Sequence, residues 1–335
     1  MRSAGISPTA GRETLASAAI APGAGITAVR SGRGVELFEK TRPWAMKDKA
    51  ANITAHELDE LRTLIEDRSG VLFDASRERF FSARVREHLA EKNLRGVELL
   101  RAVRNSNAEY ESLLEGLLTQ ETSFFRYPAV FDALRNRILP EIQERKFWSN
   151  PRTLRVWSAG CSTGEEAYSI AIAIVDALTF AEAWQIEILA TDISPRALKH
   201  AQHGVYSQRS LGNLPPQQIE TYFTHSKHGY AVKPRIRRMV SFNQMNLAQS
   251  VYVGRLDSIF CMNVLMYFSE ERRNALIHRF YEYLEPGGYL LLGHSESLSH
   301  LPVKFSSVVI GDCRMYQKPV SEPAWRNATP VGGRL

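Results

Sequence analysis

Cysteine is scarce in this sequence. Cys161, Cys261 and Cys313 stand far apart in 335 residues and form no C-x-x-C pair, which argues against a disulfide framework or a zinc site and for a reducing, cytoplasmic setting with no metal. Long apolar runs are missing too: the best candidate, SIAIAIVDAL, is broken by Asp176, short of the roughly 18 residues a membrane span needs. Direct membrane insertion is therefore not expected. Pro22, Gly23 and Gly25 interrupt the weakly apolar N-terminal stretch LASAAIAPGAGITAV, so it reads as a disordered tail and not as a signal peptide. Nor is there a charge excess in the ordered part. The formal charge is +6, but residues 1–50 hold 8 Lys/Arg against 4 Asp/Glu and the remainder holds 34 against 32, so no nucleic-acid partner is implied.

What is present divides the chain by pattern. Residues 1–50 are rich in Ala, Gly, Ser and Pro without periodicity, as in a disordered tail. Order begins near Thr54, where TAHE reads as a capping box with Glu57; apolar residues follow at helical spacing to a stop at Gly70. Further helical patterns over about 76–93, 96–105 and 107–119 make residues 51–120 an all-helical domain. A connector, 121–148, joins the aromatic cluster SFFRY to a helix starting near Pro128. From 149 to 318 strands and helices alternate: strands at TLRVWSAG and IEILATD, a helix from Glu165 to Leu178, a helix capped by Ser194-Pro195, a strand at DSIFCMNVL, a helix from Ser269 to Leu284, a turn at Pro286-Gly287-Gly288 and the strand YLLLGHS. This is the signature of a doubly wound, Rossmann-like α/β sheet. A hairpin around Gly311-Asp312 closes it, a feature of methyltransferases more than of dehydrogenases. The polar stretch at about 205–242 is too long for a crossover and reads as an inserted subdomain; 319–335 reads as a tail.

The chemistry centres on VWSAGCSTGEEAYSIAI, residues 156–172. A strand, a glycine turn and a helix usually suit phosphate, yet Glu165 and Glu166 occupy the first helical turn. The lysine of a phosphate loop and a strict G-x-G-x-x-G are both absent. S-adenosylmethionine (SAM) carries an ammonium and a sulfonium and no phosphate, so carboxylates beside Gly160 favour it. On composition alone the glutamates equally well complement a helix N-terminus. Asp192, ending the next strand, suits the ribose hydroxyls; it could also cap the following helix, although Ser194 is placed for that.

Taken in order, TSFFR (122–126), VWSAGCSTGEEAYSIAI, ATDIS (190–194), GVY (204–206), FCMNVLMYF (260–268) and PGGYLLLGHSESL (286–298) resemble the chemotaxis receptor methyltransferases, the CheR family, over about residues 54–318. The resemblance implies a helical N-terminal domain, a SAM-binding catalytic domain and a small β-subdomain in the insertion. It implies O-methylation of glutamate side chains on chemoreceptor signalling helices, with S-adenosylhomocysteine as product and chemoreceptor cytoplasmic domains as partners of a monomer. By motif position, Thr122 and Arg126 would flank the methionine end of SAM, with Arg126 near a carboxylate. Glu166 would meet the ammonium, Asp192 the ribose and Asn246-Leu247 the adenine region. Asn263-Val264 would lie under the cofactor and Tyr267 near the transferred methyl, Arg126 and Tyr267 being the catalytic pair. Family members often carry Asn where this chain has Gln120, a departure at a cofactor-contacting position. The insertion is short after Tyr222-Phe223, which bears on whether a receptor tether peptide binds there.

Residues 77–104 hold 8 Lys/Arg and 4 Glu. Arg77, Arg84, Arg86 and Arg95 would offer a basic docking face to a glutamate-bearing helix; a solvated helix face is the competing reading. Phe124 and Phe125 read as packing between domains. Two other functions compete with this one. A nucleic-acid methyltransferase lacks its [ND]-P-P-[YF] motif here, where NVLM stands instead, and a SAM-sensing adaptor without turnover would not require Arg126, Asp192 and Asn263 together.

Overall fold

The helical region is built as its punctuation dictates. In the computed structural model, which describes residues 53–294, 296, 298 and 303–320, α1 (Ala55–Ser69) starts where the Thr54 hydroxyl accepts from the Glu57 N–H at 3.2 Å and the Glu57 carboxylate takes the Thr54 N–H at 2.8 Å. It ends on Gly70 at φ +80°, where a Cβ would lie 2.3 Å from that of Ala248. The glycine is thus needed for its backbone and for its neighbour. Three further helices, α2 (Glu78–Lys92), α3 (Gly96–Asn105) and α4 (Asn107–Leu117), enclose a core that includes Leu61, Ile65, Phe81, Val85, Leu99 and Leu113. The tails expected at 1–50 and beyond 320 lie outside the described residues.

The connector holds α5 (Pro128–Ala133), a π-helical turn over Leu134–Ile138 and α6 (Leu139–Arg145). It leads into β1 (Arg152–Ala159), α7 (Glu165–Ala177), β2 (Trp184–Asp192) and α8 (Pro195–His203). The insertion follows, with β3 (Val205–Tyr206), α9 (Pro216–Tyr222), β4 (Phe223–Ser226), β5 (Gly229–Val232) and α10 (Pro234–Arg237). The chain then runs through β6 (Val240–Gln244), β7 (Leu256–Cys261), α11 (Glu270–Tyr283), β8 (Leu284–Leu292), β9 (Ser306–Ile310) and β10 (Cys313–Gln317).

Seven strands form one sheet in the order β6-β2-β1-β7-β8-β10-β9. Pairing is parallel from β6 to β8, and β10 lies antiparallel to both β8 and β9. The fold is thus a Rossmann-like methyltransferase sheet. The order reverses beside β1, and in such sheets the ligand crevice opens at the carboxyl ends of the strands at that point. β3, β5 and β4 make a separate antiparallel sheet in the insertion, and the main sheet resumes at Val240, opposite Ile188.

Two local expectations are corrected. Pro286-Gly287-Gly288 is no turn between elements but a bulge inside β8: Leu256 pairs with Leu284 while Ser258 pairs with Tyr289. The buried Leu284 and Tyr289 keep their partners and the surplus residues are extruded through Gly287, at φ +76°. The strand expected over 257–265 stops at Cys261, because Asn263 turns left-handed at φ +58°.

Candidate active site

A cavity of about 740 Å³ opens at the carboxyl ends of β1, β2 and β7. It is lined by the sheet loops on one side and, on the other, by Leu118–Ser123, Arg126 and Tyr127 of the connector region and by Ser69, Val71, Asp74, Ser76 and Arg77 of the helical region. Gln120, Thr122, Arg126, Gly160, Glu166, Asp192, Asn246, Leu247, Asn263, Val264 and Tyr267 all line it. Of these expected residues the outermost, Gln120 and Tyr267, stand 147 positions apart in the chain and are brought to one space.

The floor is set by close approach. Gly160 sits at φ +85°, and a Cβ there would lie 2.5 Å from Val264 Cγ2, so the β1 loop packs directly on the loop after β7. Gly160 N and Cys161 N donate to the Thr191 carbonyl at 2.8 and 2.9 Å, which ties the same turn to β2.

The two acids differ in their commitments. Asp192 accepts from Ser162 N at 2.8 Å and from Ser194 N at 2.9 Å, and Ser194 itself caps α8 by accepting from Ala197 N. The choice left open by the sequence is thereby settled as regards the cap. Burial raises the Asp192 carboxyl and the two backbone donors oppose the rise. Glu166 receives one bond, from Ser158 Oγ at 2.6 Å. Burial pushes its carboxyl up to about 7, the Ser158 bond working against the shift, the neighbouring Glu296 adding to it and Arg126 opposing it. A carboxylate so desolvated is stabilised by a bound cation, and a glycine turn flanked by Glu166 and Asp192 disfavours phosphate. These acceptors fit SAM.

Arg126 donates to the Glu121 carbonyl at 2.6 Å and stacks on Tyr127 at 5.4 Å. Gln120 donates to Ser194 Oγ at 2.9 Å and to Glu115 at 3.1 Å, so its amide braces the end of β2. Phe124 is buried edge-on against Tyr206 and Phe223, and Phe125 is buried at a tilt against Phe131. Asn246 lines the cavity, but its side chain is turned elsewhere: it donates to the Arg68 carbonyl and accepts from Ala248 N, both at 2.9 Å.

Arg77 departs from its expected place. The sequence places it on an outward docking face, yet its half-buried guanidinium lies 4.8 Å over the Tyr267 ring and 4.8 Å over Phe73 while donating to the Leu72 carbonyl at 3.1 Å. The aromatic faces attract the cation inward. Arg84 and Arg86 remain exposed and outside the cavity lining; Arg84 pairs with Glu87 at 2.8 Å and stacks on Phe80. Arg95 is likewise exposed and paired, with Glu98.

Residues 120–311 match the CheR methyltransferase SAM-binding domain. The chain belongs to the CheR methyltransferase family. The chain is 33% identical over 261 residues to chemotaxis protein methyltransferase 1 of Pseudomonas aeruginosa, covering 75% of this chain and 94% of that one. It is 34% identical over 254 residues to a chemotaxis protein methyltransferase of Borreliella burgdorferi (74% and 90% covered) and 32% over 274 residues to chemotaxis protein methyltransferase 2 of Vibrio cholerae (80% and 94%).

Within this CheR-family site the sequence did not single out three contributors. Ser158 holds Glu166, Tyr127 accepts from Asn263 Nδ2 at 2.7 Å, and Glu296 accepts from Asn263 N at 3.0 Å. Ser158, on a buried strand, carries no pattern that sets it apart. The Glu of GHSESL was legible as a motif residue but had no visible partner.

Proposed function

We propose that the protein O-methylates glutamate side chains on the signalling helices of chemoreceptors, using SAM and yielding glutamate methyl esters and S-adenosylhomocysteine. The observation that carries the reading is the pairing of an acidic glycine-turn cavity with a basic row leading away from it. Arg77 and Arg84 lie seven residues apart on one face of the α2 region and bracket the Phe80 ring at 5.7 and 5.4 Å. Arg86, two residues on, lies on another side of α2 and is exposed; among the described residues no ion pair joins it. A glutamate-bearing helix is drawn to such a surface.

Bound SAM supplies a methyl group activated on a sulfonium. Glu166 holds the ammonium and Asp192 the ribose hydroxyls. Gly160, Asn263 and Val264 form the floor, and Asn246-Leu247 border the adenine side, with Leu247 buried. Thr122 and Arg126 flank the methionine end. The acceptor has an ordinary pKa of about 4.3, so it is already ionised at neutral pH and no general base is required. Arg126 and Tyr267 act by orienting the carboxylate toward the methyl group, and shielding the site from water favours a step in which opposite charges neutralise.

Transfer of labelled methyl from SAM to a chemoreceptor cytoplasmic fragment, followed by alkali, tests this. Base-labile label on glutamate is expected. Tight SAM binding with no ester on any of several receptor fragments would contradict it.

A further inference from the structure

The parallel ladder between β7 and β8 ends at the pair Cys261 and Leu292. Immediately beyond it the chain diverges into two loops, and the N–H groups of Asn263 and Gly293 have run past their sheet partners. One side chain collects them. Glu296 Oε2 accepts from Gly293 N at 2.8 Å and from Asn263 N at 3.0 Å, while Oε1 accepts from Met266 N at 3.3 Å. We infer that Glu296 is a positioning residue for methyl transfer: its carboxylate clamps the loop 262–268 from beneath and so fixes Asn263, Val264 and Tyr267 at the cavity. The inference rests on the functional reading above.

The loop needs such a clamp. Asn263 is held at φ +58°, a conformation that costs a non-glycine residue free energy and persists only when its surroundings over-determine it. Gly293 permits the approach, since a Cβ there would lie 2.6 Å from Asn263 Oδ1 and 2.9 Å from Glu296 Oε2. With its N–H taken from below, Asn263 is free to hold Tyr127 from its side chain, and the 3₁₀ turn Leu265–Tyr267 follows directly. Three amides on one ionised acceptor are the strong kind of hydrogen bond.

The charge of the same carboxylate acts on Glu166, and this gives a readout that mere structural support would not move. Glu166 is surrounded by Ser158 of β1, Arg126 of the connector, Cys161 and Glu296. Glu296 in turn borders Cys261 and a small cavity with His294, Asp312 and Arg314. Its charge is one of the causes that raise the Glu166 carboxyl. If SAM needs ionised Glu166, its affinity falls below a pH breakpoint set by that group, and removing the Glu296 charge moves the breakpoint to lower pH.

The full chain is compared with E296Q and E296D, measuring SAM affinity across pH by calorimetry and methyl transfer to a receptor fragment at saturating SAM. For E296Q the expected result is a kcat lower by on the order of 10- to 100-fold, the scale of a small misplacement, with the breakpoint shifted down. E296D keeps the charge but is too short to reach all three amides, so kcat falls while the breakpoint stays. Wild-type kcat and an unmoved breakpoint in E296Q overturn the inference alone, as does a loss of activity that only follows the loss of folded protein. Should E296Q fail to fold, E296D decides: kcat lost with the breakpoint kept supports the clamp, and wild-type kcat overturns it. A wild-type chain that neither binds SAM nor labels the receptor overturns the functional reading, and this inference with it.

Discussion

The sheet-borne wall of the cavity and the α2 surface that leads away from it carry opposite charges and are held by different means. On the sheet side Glu166 and Asp192 sit desolvated beside glycine turns, and behind them Glu296 is tied to three backbone amides of the neighbouring loops. The helical side presents Arg77 and, further out, Arg84 and Arg86 on aromatic rings and in solvent. The first arrangement is rigid and selects a small cation; the second is extended and suits a long acidic partner. The difference suggests a division of labour, with cofactor recognition on the sheet and acceptor recognition on the helices. Seams between the walls keep the two in register. Leu72 N donates to the Tyr267 carbonyl at 2.7 Å, and Arg272 donates to the Glu66 and Gly70 carbonyls at 3.2 and 3.0 Å. The bond from Asn246 satisfies the Arg68 carbonyl, which the end of α1 leaves without a partner in the helix, and Arg272 takes the carbonyl of Gly70 just past it.

The largest effect is expected where the sheet wall has no slack. Gly160→Ala adds left-handed strain and a contact 2.5 Å from Val264 Cγ2, together worth roughly 2–5 kcal/mol. Thermal melts should show the loss and calorimetry should show SAM binding abolished. Val264→Ala in the same chain relieves the collision but not the strain, so partial recovery separates the two.

Glu166→Gln comes next. Loss of a charge-assisted bond of roughly 1.5–3 kcal/mol weakens SAM about 10- to 100-fold at pH 8. Stability should move the other way. The folded carboxyl titrates near 7 against an ordinary 4.5. Below 4.5 the group is protonated folded and unfolded, and it costs nothing. As pH rises toward 7 the unfolded chain releases the proton first, so the cofactor-free protein loses stability over that window. Melting temperatures of wild type and E166Q should therefore agree in acid, with the variant ahead above pH 7. A wild type that is the more stable of the two at pH 8 would contradict the buried-acid account.

Charge reversal on the exposed surface of α2, R84E with R86E, breaks the comparison from the other side. Transfer to a receptor fragment should fall severalfold or more at low salt, and the defect should shrink relative to wild type as salt screens the surface. Tyr267→Phe lowers turnover while SAM binding persists; unchanged turnover would remove its orienting role. The smallest effect belongs to Thr54→Ala, about 1 kcal/mol for a lost helix cap. It lies remote from both walls and should alter melting alone.

Much of this architecture was legible because it is written locally. The capping box at Thr54, the stop at Gly70, the cap at Ser194 and the hairpin at Gly311 each follow from a few adjacent residues. The glycine turn and Asp192 were readable from spacing along two strands. What the sequence hid depends on partners distant along the chain. Arg77 reads as one more charge on a basic helix until Tyr267 is placed beneath it, 190 positions away. The side chain of Asn246 reads as a ligand group until α1 ends against it. The Pro-Gly-Gly of β8 resembles a turn because local propensity does not report that the leucine and tyrosine flanking it are both buried in the same sheet.

Calorimetric titration of SAM into wild type, E166Q and the R84E/R86E chain at pH 8 tests the division of labour most directly. Equal affinity in wild type and the charge-reversed chain, with E166Q about 10- to 100-fold weaker, is the predicted result. Full affinity in E166Q, or loss of SAM binding on reversing Arg84 and Arg86, would contradict it.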